Sequence, residues 1–117
     1  MLANTLLATL LLAASTALAA RPSIQLYSTA NCGDGTEDGT FGPIPTDVCQ
    51  TLTGSTSPAL GAEVLGGYPT DCTYRFYANG DCTSTNFIDN PTPNICFHVI
   101  DGAPVGSVKL IGGNACV

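Results

Sequence analysis

The stretch Ile24 to Cys32, IQLYSTANC, decides how this chain is built, because it returns further on as Tyr74 to Cys82, YRFYANGDC. In each copy two apolar residues alternate on one side (Ile24 and Leu26; Tyr74 and Phe76), a tyrosine follows (Tyr27; Tyr77), and a cysteine closes the stretch (Cys32; Cys82). Moving outward, the landmarks recur in the same order. A second cysteine stands in TDVCQTL (Cys49) and in PNICFHV (Cys96). A glycine-led apolar run then enters paired glycines and a third cysteine, LGAEVLGGYPTDC ending at Cys72 and VGSVKLIGGNAC ending at Cys116. Self-similarity at such a period marks a duplicated unit. The copies are expected over 22–72 and 73–117, inside a single domain spanning 20–117.

Residues 1–19 read as a secretory signal. Leu6, Leu7, Leu10, Leu11 and Leu12 with interspersed alanines form an apolar core, and Ala17-Leu18-Ala19 supplies the small-x-small cleavage site. No Lys or Arg precedes the apolar run, which is off pattern. The run is too short to cross a bilayer and is broken by Thr9, Ser15 and Thr16. A secreted, extracellular protein is therefore expected, with no membrane insertion.

Of 117 residues only three are cationic (Arg21, Arg75, Lys109) against nine acids, a net charge of -6. That potential repels phosphate backbones and anionic lipid heads, which argues against nucleic-acid partners and lytic activity.

The cysteines Cys32, Cys49, Cys72, Cys82, Cys96 and Cys116 form an even set in a short chain, the pattern of a disulfide framework. Zinc fits poorly, since no Cys-x-x-Cys pair exists and the one histidine, His98, sits in an apolar run. With three cysteines per copy, at least one bond must join the copies. The simplest symmetric pairing is Cys32 with Cys49, Cys82 with Cys96, and Cys72 with Cys116. Each short loop would contribute about 3 kcal/mol on the chain-entropy model.

Local patterning is strand and turn. Ile24–Tyr27, Thr73–Tyr77, Ile95–Ile100 and Ser107–Ile111 are rich in β-branched or aromatic residues and bounded by Gly, Asn, Asp or Pro. The first hairpin turn, Gly33–Gly42, is expected to be longer and more acidic than the second, Thr83–Asn86. No helical stripe of useful length appears. Antiparallel strands packed as a sandwich or barrel are expected.

Each unit opens apolar-x-apolar-Tyr, turns through a Gly- or Asn-rich hairpin and enters a late glycine-led strand. The pair resembles the double Greek key of the βγ-crystallins over nearly the whole chain after residue 19. The resemblance implies an all-β antiparallel sandwich of two duplicated Greek key motifs, here stapled by three disulfides. It also implies that Tyr27 and Tyr77 fold over their hairpins and that Ser107 pins the second hairpin, with Ala62 at the corresponding place in the first. Calcium-binding members carry an acidic pair and a hydroxyl pair in each motif. Here Asp101-Gly-Ala-Pro-Val-Gly-Ser107 lacks both, and Asp34-Gly-Thr-Glu-Asp38 lacks the late bidentate acid of an EF-hand loop. Asp34, Asp38 and Asp101 are thin calcium candidates, and no metal or other cofactor is expected.

Catalytic candidates are scarce. Alternation would place His98 on one sheet face with Cys96 and Ile100. No Gly-x-Ser-x-Gly elbow surrounds a serine, disulfides consume the thiols, and nothing pairs Asp47, Glu63, Asp71, Asp81, Asp89 or Asp101 specifically. The expectation is a non-catalytic, monomeric binding protein of effector or toxin-like type acting on an extracellular protein or polysaccharide. The alternatives are a protease inhibitor on a crystallin-like scaffold, presenting the loop Asp34–Thr46 or Gly54–Pro58, and a structural or calcium-binding crystallin.

Overall fold

A computed structural model describes residues 21–44, 48–54, 58–69 and 71–112. The proposed signal segment, Cys116 and Asp47 lie outside the described residues. Among the described residues seven strands follow in order: β1 (Ser23–Tyr27), β2 (Glu37–Phe41), β3 (Gln50–Thr51), β4 (Gly61–Leu65), β5 (Thr73–Tyr77), β6 (Phe87–Asp89) and β7 (Ser107–Gly112). No helix occurs among the described residues. The strands make two antiparallel sheets, β2-β1-β4 and β3-β7-β5-β6.

The duplicated stretch supplies the centre of each sheet. In β1, Ile24 and Leu26 are buried while Ser23, Gln25 and Tyr27 are half-exposed; in β5, Tyr74 and Phe76 are buried in the same alternation. β1 is flanked by β2 and β4, and β5 by β6 and β7. Side chains of both sheets meet in one cluster that includes Ile24, Leu26, Val64, Tyr74, Phe76 and Val108. Burying each such side chain contributes about 1.5–3 kcal/mol.

The third element of each half crosses to the other sheet. β3, from the first half, pairs with β7 through Gln50↔Val108 and Thr51↔Ser107. Its counterpart, Phe97 of the second half, exchanges two backbone hydrogen bonds with Ala62 of β4, at 2.9 and 2.8 Å. Phe97 also meets Phe76 edge to face, 4.9 Å between centroids. This crossing overturns the expected disulfides. The bonds are Cys32–Cys96 and Cys49–Cys82, both between halves. The pseudo-twofold permits first-to-second cysteine pairing within a copy or across copies. Because Cys49 directly precedes β3, and Cys96 directly precedes the Phe97 bridge, each is carried to the hairpin of the opposite half. The expected partner of Cys72, Cys116, is outside the described residues.

Two further expectations need correction. In register, Tyr27 stands opposite Gly61 and Tyr77 opposite Ser107, so the position matching Ser107 is Gly61 and not Ala62. Ala62 faces Leu26 as Val108 faces Phe76, and both are buried. Aligning the two glycine-led runs on their glycines slips the register by one residue, which in a strand swaps the faces. The run Ile95–Ile100 is not a strand. Only Phe97 bridges, and Ile95 and Ile100 are exposed, because Pro91, Pro93 and the left-handed Asn94 (φ 62) bend the approach. Conversely, Glu37–Phe41 is a strand inside what reads as a long turn.

Candidate interaction face

Register brings the outward side chains of β5, β6 and β7 into one patch. Arg75 stands opposite Asp89 on one side and Lys109 on the other, and Tyr77 opposite Phe87. The Arg75 guanidinium donates to Asp89 through Nε (2.7 Å) and Nη2 (2.9 Å). It also lies 3.8 Å above the centre of the Phe87 ring, a cation–π contact. The bonds to Asp89 come first among the influences holding the guanidinium protonated above its ordinary range. Tyr77 and Phe87 rings approach to 6.1 Å, and Phe87 stays 42% exposed. Lys109 makes no ion pair with any described residue. The patch thus holds two of the three cations of an acidic chain beside two aromatic rings.

The equivalent face of the first sheet has other chemistry at the same positions. Gln25 stands opposite Glu63, as Arg75 does opposite Lys109; Tyr27 stands opposite Glu37, as Tyr77 does opposite Phe87. The Tyr27 hydroxyl donates to Glu63 Oε2 at 3.4 Å. Burial raises its pKa, and the negative charges of Glu63, Glu37 and Asp34 raise it further. Gln25 is tied down by Nε2 donating to Gly39 O (2.9 Å) and Oε1 accepting from Thr40 Oγ1 (3.0 Å).

The hairpin positions implied by the crystallin resemblance are also placed. Ser107 is fully buried; its hydroxyl donates to Asn79 O (2.6 Å) and accepts from the Cys82 amide (3.0 Å), so a β7 side chain ties the 78–86 hairpin to the sheet. Tyr77, at the end of β5, is buried. In the first half Gly61 brings backbone against backbone, since a Cβ there would sit 2.4 Å from Thr29 O. Cys32 and Cys82, at equivalent hairpin sites, share a left-handed backbone (φ 52 and 59).

Other candidates do not converge. Asp34 is exposed, Asp38 buried, and Asp101 lies beside His98, with Nε2 to Oδ1 at 3.0 Å. Among the described residues no group of three or more His, Cys, Asp or Glu is disposed to hold a metal. His98 is exposed on irregular chain just after the Phe97 bridge, not on a strand face. An open groove of about 450 Å³ is lined by Thr51, Leu52, Pro58, Gly80, Pro104 and Gly106 among others, none of them ionisable. Among the described residues it offers no acid or base, and its hydroxyls are those of Thr53 and of Thr51, which already donates to Gly80 O at 2.7 Å. Of the suggested inhibitory loops, Asp34–Thr46 contains β2, paired to β1 through Glu37, Thr40 and Phe41, and is no free loop over that span. Residues 45–46 and 55–57 of the two loops are outside the described residues.

Phe87 and Asp89 escaped the sequence reading, although Tyr77 and Arg75 sit on recognised strand β5. The available signal was the alternation Phe87-Ile88-Asp89 after a hairpin, which places Phe87 and Asp89 outward whenever Ile88 turns inward. The chain matches no protein-family model, no curated protein and no solved structure.

Proposed function

We propose that this chain is a small secreted, disulfide-held binding protein without catalytic activity, which engages an extracellular macromolecule through the outward face of its second sheet. The observation that carries the reading is that face itself: Arg75 stacked on Phe87, Tyr77 beside them, and Lys109 without an ionic partner among the described residues. Arg, Tyr and Phe are enriched at protein recognition surfaces, where rigid rings supply contact area at small entropic cost. Support for the compartment comes from the two inter-half disulfides, which suit an oxidising environment, and from the leader-like residues 1–19. No helix among the described residues is long and apolar enough to cross a membrane.

We read the architecture as a β-sandwich of two Greek keys of βγ-crystallin type, completed by a third disulfide between Cys72 and Cys116. The shared core of the two sheets and the reciprocal crossing of β3 and Phe97 favour this reading. A disulfide map of the oxidised chain tests the third bond.

The function is tested by capture. Immobilised oxidised protein is exposed to extracellular protein and polysaccharide fractions alongside Phe87→Ala and Lys109→Glu variants. A species held by the native chain and released by both variants is the expected result. Equal retention by all three, or no retained species, overturns the assignment of this face.

A further inference from the structure

The two outward faces occupy the same five register positions and differ in sign. Glu63, Glu37, Gln25 and Thr40 stand on the first sheet where Lys109, Phe87, Arg75 and Asp89 stand on the second, so the first face carries two acids and the second two cations, one of them, Arg75, paired with Asp89. Inward side chains of both sheets share one core, so the two faces look away from each other, and every copy presents both. We infer that copies of this chain stack on one another, the Arg75/Phe87/Lys109 face of one docking on the Glu37/Glu63 face of the next. The inference goes beyond the proposed external partner and beyond the monomer expected from sequence.

Three features support it. Charge is complementary: the second face holds the Lys109 ammonium, which makes no ion pair with any described residue, while on the first face the negative charges of Glu63 and Glu37 both press on the Tyr27 phenol. Each face carries an aromatic ring open to contact, the half-exposed Tyr27 on the first and Phe87, 42% exposed, on the second, where Tyr77 is buried. The contact joins unlike patches, so it is heterologous and grows into stacks rather than closing as a dimer. The net charge of -6 opposes approach of whole molecules. At physiological ionic strength, however, the screening length is about 8 Å, so that distant repulsion fades while pairs in direct contact persist.

Analytical ultracentrifugation of the mature oxidised protein tests this over a concentration series up to millimolar, at physiological and at half-molar salt. The expected result is a mean mass that rises with concentration and falls with added salt. Glu63→Lys and Lys109→Glu each abolish association alone, and an equimolar mixture of the two restores it, because each unlike face then meets its opposite. Circular dichroism confirms that both variants are folded. A single-copy mass at every concentration, or association untouched by either variant, overturns the inference. Glu63→Lys also separates the two proposals: it loses self-association and keeps capture of an external partner, whereas Lys109→Glu loses both.

Discussion

The hairpins 28–36 and 78–86 stand at equivalent ends of the two sheets and are held by different chemistry. The second is pinned from outside, by the buried Ser107 hydroxyl reaching Asn79 O and the Cys82 amide. The first holds itself: the Thr29 hydroxyl accepts the Gly33 amide (3.3 Å), the Thr36 hydroxyl donates to Gly33 O (2.6 Å), and the turn settles on the bare backbone of Gly61. The two turns occupy equivalent places and are secured by different means. A serine would not fit where the first half already brings backbone into contact.

The largest effect is expected from the element the halves share. Cys49 and Cys82 lie inside the loop closed by Cys32–Cys96, so either bond, with the other already formed, closes a similar length of free chain. Removing Cys32 and Cys96 together, or Cys49 and Cys82 together, should cost about 3–4 kcal/mol in each case. Denaturant titration of the two double variants checks this, and a strongly unequal pair would break the equivalence of the halves. Next comes the attempt to make the first half copy the second. Gly61→Ser drives a Cβ against Thr29 O and should destabilise by about 3 kcal/mol, where a simple register match would have it stabilise. The reciprocal change, Ser107→Ala, leaves the Cys82 amide without its acceptor and should cost about 2 kcal/mol.

A smaller, pH-dependent difference lies under the second sheet. Burial, and to a lesser degree Tyr74, pushes the Tyr68 phenol from 10.0 up to about 12. A raised phenol pKa means that the folded state keeps its proton longer than the unfolded chain. This contribution is therefore complete below pH 10 and is lost as pH rises through about 12. Thermal melts across that window should show the decline, and Tyr68→Phe should shallow it. Tyr68 comes from the end of the first half and stacks on Tyr74 of β5, with ring centroids 5.5 Å apart, so this contact too couples the halves. Smallest of all, Asp89→Ala should leave the melting temperature nearly unchanged, because the Arg75–Asp89 pair is solvent-exposed. Its effect should appear instead in binding through the second face.

Alternation in Ile24–Tyr27 and Thr73–Tyr77 makes the two central strands legible in the sequence, with four of the core residues, Ile24, Leu26, Tyr74 and Phe76. Ser107–Ile111 was equally plain. The losses have identifiable causes. β2, EDGTF, is an acidic edge strand that opens with three residues of low β propensity, Glu37, Asp38 and Gly39; pairing with β1 imposes its conformation. Ile95–Ile100 has the propensity, and flanking turns forbid the conformation. The disulfides were misassigned because symmetry alone does not say whether a third strand stays or crosses. The interaction face was half legible: Arg75 and Tyr77 follow from the pattern, whereas Phe87, Asp89 and Lys109 join them only through register.

The reciprocal crossing of β3 and Phe97 also governs how the chain can reach its native state. Each sheet lacks an edge until the opposite half has been made. A nascent chain that has emerged only through the first half therefore has a sheet it cannot finish and a Cys49 whose partner has not been synthesised. Contacts of such long sequence separation are slow to form. Completing both sheets and both disulfides therefore needs residues of both halves, and these long-range contacts are the ones expected to limit how fast the chain reaches its native state.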